Sequence, residues 1–300
     1  MLMNSLERLE ELKTQIVADT GDIDLIKKYR PIDVTTNPSL ILKVSTDDRF
    51  KHLLNSNDLE QVLVNFGTEI SKEIDGYVST EVNPKYSHNT DETIKIARKI
   101  IRLYQKNGIP KERILIKIAS TWQGIQAAKE LEKEGIKCNM TLIFSLTQAL
   151  ACAQANVTLI SPFVGRITDW YKEKGHVINK IDDDFGVKNV KEIYNYYKFN
   201  NYKTIIMGAS FRNIDQIKAL AGLEKLTISP KLIDELSKDT DSTFIENLVV
   251  TKDYSTEIIK QDSFETKLNN DEMANFKLNE GISKFINDTN KLEELIKIEA

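Results

Sequence analysis

Cysteine and histidine are scarce in this chain, and so are glycine and proline. Only two cysteines, Cys138 and Cys152, and three histidines, His52, His88 and His176, are present. None has CxxC or zinc-ligand spacing, and both cysteines fall in apolar stretches, as buried reduced thiols do. A disulfide scaffold is excluded and no metal is expected. Twelve glycines and six prolines in 300 residues are about half the average share, which excludes collagen-like and low-complexity chains. Charge of one sign is also missing: 41 Lys+Arg against 45 Asp+Glu give a net charge of −4. No basic surplus is available for a phosphate backbone, so nucleic acid is not an expected partner. No run reaches the ~18 apolar residues of a membrane span, and Glu7, Arg8, Glu10, Glu11 and Lys13 interrupt the first turns. The expectation is a cytoplasmic protein without membrane attachment.

What is present is a globular composition, 41% hydrophobic and 29% charged, with short apolar runs alternating with amphipathic windows. Eight such runs read as strands, near Thr14 to Asp19, Val34 to Thr36, Tyr77 to Val82, Ile114 to Ala119, Cys138 to Phe144, Val157 to Ser161, Thr204 to Met207 and Leu226 to Ser229. Their spacing, about 27 residues, fits a strand, a turn and a helix. Helices are expected over Asn89 to Gly108, Trp122 to Gly135 and from Pro230 through Leu236, the last with Ser229 as N-cap. Asp271 to Ile296 reads as a helix packing outside the repeat. The pattern predicts an α/β fold, a (β/α)8 TIM barrel with additional N- and C-terminal helices spanning the chain as one domain. An open doubly wound sheet is the alternative, but it lacks a GxGxxG or GxxxxGK[ST] nucleotide motif.

In such barrels the reactive groups gather at the C-terminal ends of the strands. Seven of the eight runs end in or lead to polar residues. Lys117 stands out within Ile114-Leu115-Ile116-Lys117-Ile118-Ala119, where alternation places it on the face of Leu115 and Ala119. Inside a barrel a lysine loses hydration, which favours the neutral amine that attacks carbonyls. A lysine snorkelling to solvent is the competing explanation. Asp19 and Glu81 are acid/base candidates from different strands, although a surface carboxylate explains either alone. Asn37 and Asn139 suit hydroxyl groups, with a helix cap the plain alternative for Asn37. Arg166 and Arg212 follow strands six and seven, where guanidinium forks suit a phosphate; singly, each reads as a surface ion pair. Cys138 is expected to point away from the barrel interior.

The stretches Ala18-Asp19-Thr20-Gly21-Asp22, Thr35-Thr36-Asn37-Pro38-Ser39-Leu40, Ile114 to Gly124, Ile160-Ser161-Pro162-Phe163-Val164-Gly165-Arg166 and Met207-Gly208-Ala209-Ser210-Phe211-Arg212-Asn213 resemble the transaldolases of the class I aldolase superfamily. The resemblance runs from about residue 5 to the C-terminus. It implies a barrel that moves a dihydroxyacetone unit, without a cofactor, in the pentose phosphate pathway. The substrates implied are sedoheptulose 7-phosphate and glyceraldehyde 3-phosphate, giving erythrose 4-phosphate and fructose 6-phosphate reversibly, and the implied assembly is a homodimer.

Carried over by motif, Lys117 matches the Schiff-base lysine and Asp19 the group exchanging the proton of the donor's C4 hydroxyl. Glu81 matches the glutamate acting through a bound water, which Thr141 helps to hold. Asn37, Asn139 and Ser161 match positions holding the dihydroxyacetone moiety, and Arg166, Ser210 and Arg212 match the phosphate site. Relatives that release free dihydroxyacetone, the fructose 6-phosphate aldolases, carry tyrosine where this chain has Phe163. Phenylalanine has no proton to give the carbanion, which favours transfer to an acceptor over release. A phosphosugar-binding barrel without catalysis is the third reading. The connection Lys43 to Glu73 looks shortened against longer family members, and no matched position falls within it.

Overall fold

Eight parallel strands close into a barrel in chain order, with β8 pairing back to β1. The computed structural model describes residues 3–241, 248–250 and 254–299. The strands are β1 (Gln15–Asp19), β2 (Asp33–Thr35), β3 (Val78–Glu81), β4 (Ile114–Ala119), β5 (Cys138–Ile143), β6 (Leu159–Pro162), β7 (Ile205–Gly208) and β8 (Lys225–Ile228). All eight coincide with the runs expected from the sequence, β4 at both ends and the other seven to within one or two residues.

Alternation along β4 explains both layers of the core. Ile114, Ile116 and Ile118 face outward into the shell shared with the helices, while Leu115 joins Val17, Leu159 and Met207 in a small apolar layer inside the barrel. Two residues further along the same strands, the inward positions are Asp19, Lys117 and Ser161. The barrel interior therefore changes from apolar to polar and charged within one pleat. Below the apolar layer, Asp33 and Lys225 form a buried ion pair.

Local signals set the helix ends. Asn89 caps helix Thr90–Lys106 by accepting from the Glu92 amide at 3.0 Å, and Gly108 follows with a φ of 80°. Thr121 caps Trp122–Lys133. Ser229 precedes Pro230–Lys238 as expected, but its side chain makes no capping bond; it lines the cavity at the barrel mouth instead. The terminal helix is Glu272–Glu299, longer than expected, with Asp271 capping it through the Ala274 amide at 2.9 Å. It packs against helix Pro38–Ser45 and β5, tied there by a hydrogen bond from Ser39 to Asp288. An N-terminal helix, Ser5–Glu11, precedes β1.

The segment from Lys43 to Glu73 holds the end of Pro38–Ser45, a 3-10 turn at Asp48–Leu54 and helix Leu59–Glu73. None of the cavity-lining residues falls within it. Cys138 lies in the outer shell, and burial pushes both cysteine thiols up. His176 is exposed, its ring sitting edge-on to Tyr171 and Phe185 at 5.3 Å. No helix among the described residues is long and apolar enough to cross a membrane.

Candidate active site

A cavity of about 230 Å³ opens at the C-terminal end of the barrel. Of the eleven residues singled out from the sequence, Asp19, Asn37, Lys117, Ser161, Phe163, Arg166, Ser210 and Arg212 line it. Glu81, Asn139 and Thr141 are buried around it without reaching its wall. A larger hollow of about 580 Å³, bounded by Leu6, Tyr29, Ile32 and Ile233, lies beside the start of β1 at the opposite end. Its charged side chains, Glu10, Lys13 and Arg30, are exposed, so the buried chemistry belongs to the smaller cavity.

Lys117 is 5% exposed, and its Nζ donates to the Thr36 carbonyl oxygen at 3.0 Å. The snorkelling explanation therefore fails. Its register partner on β3 is Glu81, whose Oε2 lies 3.6 Å from Nζ. Burial pushes the Glu81 carboxyl up to about 7, the nearby Lys117 charge opposing that rise. Glu81 is thus poised to exchange a proton near neutrality. Among the described residues neither Glu81 Oε2 nor Thr141 Oγ1, both buried, has a hydrogen-bond partner, which leaves both atoms able to meet a bound water or substrate.

Asp19, at the end of β1, accepts from the Thr35 hydroxyl at 3.0 Å, and Thr35 Oγ1 lies 2.5 Å from Thr227 Oγ1. Thr35 has one hydroxyl proton. While Asp19 is ionised that proton goes to Asp19, so Thr227 donates to Thr35. Enclosure in the mouth raises the Asp19 carboxyl, against the pull of Lys117. Asn139 donates to Ser79 Oγ at 3.1 Å and accepts from Ser161, which fixes its amide orientation. Asn37 does cap helix Pro38–Ser45, accepting from the Leu40 amide at 3.0 Å, and it also lines the cavity. Its two readings are compatible: Oδ1 serves the helix, and no bond from the amide nitrogen is found among the described residues.

Past Thr141 the end of β5 is bent. Leu142 adopts a φ of 56° where the β5–β6 register shifts, and Gln148 Nε2 holds its carbonyl at 2.9 Å. Ser210 is also left-handed, with a φ of 62°. Its carbonyl accepts from the Gly165 amide at 2.7 Å, an approach that a Cβ on Gly165 would block at 2.4 Å. Backbone strain of this kind collects at binding sites.

The two arginines differ. Arg212 makes the ion pair that its sequence position allowed, donating from Nε and Nη2 to Asp169 Oδ2 at 3.0 and 2.7 Å, with Nη1 3.4 Å from Ser210 Oγ. Arg166 lies between the rings of Phe163 and Phe285, 5.1 and 5.3 Å from their centroids. Burial lowers its pKa, and the like charge of Arg212 lowers it further. Two cations facing one mouth are relieved by an anion there. The sequence reading missed Thr35, Thr227 and Ser229 among the polar groups, and Phe285. Thr35 stands inside a motif already noted; Phe285 carries no local signal.

The structure is a (β/α)8 barrel with a buried lysine, two carboxylates and two arginines gathered at the C-terminal mouth. The family described as Transaldolase/Fructose-6-phosphate aldolase matches residues 16–296, and the chain belongs to it. Similar proteins include one named Transaldolase from Schizosaccharomyces pombe, 48% identical over 98% of both chains. Another, from Kluyveromyces lactis, is 51% identical over 98% of this chain and 95% of its own. A third, from Saccharomyces cerevisiae, is 49% identical with the same coverage.

Proposed function

We propose that the protein is a transaldolase in which Lys117 carries the substrate as a Schiff base. The observation that carries this reading is the burial of Lys117 beside Glu81 on the wall of a cavity that Asp19 also lines. The Lys117 amine attacks the ketose C2 carbonyl, and Glu81, through a water that Thr141 helps to hold, supplies the proton with which the C2 oxygen leaves as water. Asp19 takes the C4 hydroxyl proton as the C3–C4 bond breaks. The bonding electrons move into the iminium, giving an enamine on Lys117, and the aldose phosphate departs. An incoming aldehyde is attacked by the enamine, Asp19 returns the proton to the new hydroxyl, and water releases the ketose from Lys117. Asn37, Asn139 and Ser161 hold the three-carbon unit; Arg166, Ser210 and Arg212 hold the phosphate.

Family membership supports sugar phosphates as the substrates, with sedoheptulose 7-phosphate and glyceraldehyde 3-phosphate as one donor and acceptor pair. It also supports a place in the pentose phosphate pathway, the cytoplasm as location and a homodimer as assembly. Phe163 favours transfer over release of free dihydroxyacetone, because its ring has no exchangeable proton. The test is product analysis with fructose 6-phosphate, with and without erythrose 4-phosphate. Sedoheptulose 7-phosphate, and glyceraldehyde 3-phosphate beyond about one equivalent per site, are expected only when the acceptor is present. Steady release of dihydroxyacetone without acceptor would contradict transfer.

A further inference from the structure

The guanidinium of Arg166 is held in an unusual way for a group meant to meet a phosphate. Its neighbour Arg212 is anchored by Asp169, whereas no hydrogen bond or ion pair to the Arg166 guanidinium is found among the described residues. What flanks it are two aromatic faces: Phe163, from the loop after β6, and Phe285, from the middle of helix Glu272–Glu299. Phe285 is 2% exposed and lines the cavity. One turn earlier on the same helix face stands Gly281. A Cβ there would come within 3.3 Å of Arg166 Nη1 and 2.7 Å of Leu142 Cδ2. The helix thus offers the arginine a ring to lie on and a gap to lie in. The hydrogen bond from Ser39 to Asp288 and the ion pair of Lys85 with Glu293, at 3.9 Å, hold this stretch to the barrel mouth.

We propose that Phe285 and Gly281 are positioning residues for Arg166, and that through them the C-terminal helix sets the preference of the site for phosphorylated over unphosphorylated ketoses. This rests on the transaldolase reading. A ring face orients a guanidinium without consuming its N–H donors, so all five remain for the phosphate. A carboxylate in the same place would compete with the ligand and neutralise the charge.

The experiment compares kcat/KM for fructose 6-phosphate and for fructose, with D-erythrose as the common acceptor and sedoheptulose as the common product, in the parent and in Phe285→Leu, Phe285→Tyr and Gly281→Ala. Phe285→Leu keeps apolar volume and removes the ring; losing a desolvated cation–π contact is expected to lower the preference for the phosphate ester about tenfold. Turnover of fructose should fall much less, and Phe285→Tyr should restore the preference. Gly281→Ala, whose methyl displaces the guanidinium, is expected to act in the same direction, and it decides the matter if Phe285→Leu does not fold. An equal loss with both sugars, in whichever of the two variants folds, would overturn the proposal. Calorimetric affinity for inorganic phosphate separates the two failures. If the parent transfers nothing yet phosphate binding weakens in Phe285→Leu, the positioning role stands and the transaldolase reading falls. If phosphate affinity is unchanged in the variants, the positioning role falls.

Discussion

Glu81 Oε2 stands 3.6 Å from Lys117 Nζ, and both side chains are buried on adjacent strands. Burial raises the Glu81 carboxyl to about 7 while Lys117 opposes the rise. A carboxyl whose value is raised on folding stabilises the fold at low pH, and that contribution is lost as pH rises from the ordinary value of 4.5 through about 7. The urea midpoint of the wild type relative to Glu81→Gln is therefore expected to fall between pH 5 and pH 8. In the same window kcat should carry a limb near pH 7 that Glu81→Gln abolishes. Midpoints that run parallel for the two proteins would show that Glu81 titrates normally.

Asp19 is oriented by Thr35, whose hydroxyl is itself met by Thr227. Thr35→Val removes a hydrogen bond to a charged group, worth about 1.5–3 kcal/mol. The expected result is a kcat drop of about ten- to a hundredfold with little change in KM, and recovery in Thr35→Ser. A rise in KM alone would place Thr35 in substrate binding instead.

Phe163 lies edge-on to Phe144 at 5.4 Å and forms one wall of the cavity. Phe163→Tyr puts an acidic O–H within the cavity, where it can protonate the enamine carbon. Release of free dihydroxyacetone from fructose 6-phosphate without acceptor should then appear, as read by a coupled reductase assay. Its absence would mean that the ring does not face the three-carbon unit.

Gly165→Ala drives a methyl to 2.4 Å from the Ser210 carbonyl and 2.7 Å from Arg212 Cγ. Overpacking of this kind costs about 1–3 kcal/mol, so a lower melting temperature and a raised KM for phosphorylated donors are expected together. Calorimetric scans with initial-rate kinetics check both.

The barrel was legible because each strand carries its own alternation, and Lys117 because a charge inside Ile114-Leu115-Ile116-Lys117-Ile118-Ala119 contradicts its surroundings. The Asn37 cap was legible for a related reason, since a cap before proline is local. Thr35 and Thr227 did not stand out because a threonine in a strand is ordinary; only barrel closure brings β2 and β8 to Asp19. Ser229, beside Pro230, reads as a cap; it does stand at that helix's N-terminus, but its side chain makes no capping bond and lines the cavity. Phe285 lies 119 positions after Arg166, and no spacing rule reaches that far. Contacts made by tertiary packing alone leave no periodic trace in the chain.

The central claim is covalent catalysis by Lys117. Intact-mass analysis after fructose 6-phosphate and borohydride, with peptide mapping, tests it most directly. A reduced dihydroxyacetone adduct on Lys117, absent from a folded Lys117→Ala protein, is expected. An unmodified chain under conditions where the sugar phosphate binds, or normal transfer by Lys117→Ala, would contradict it.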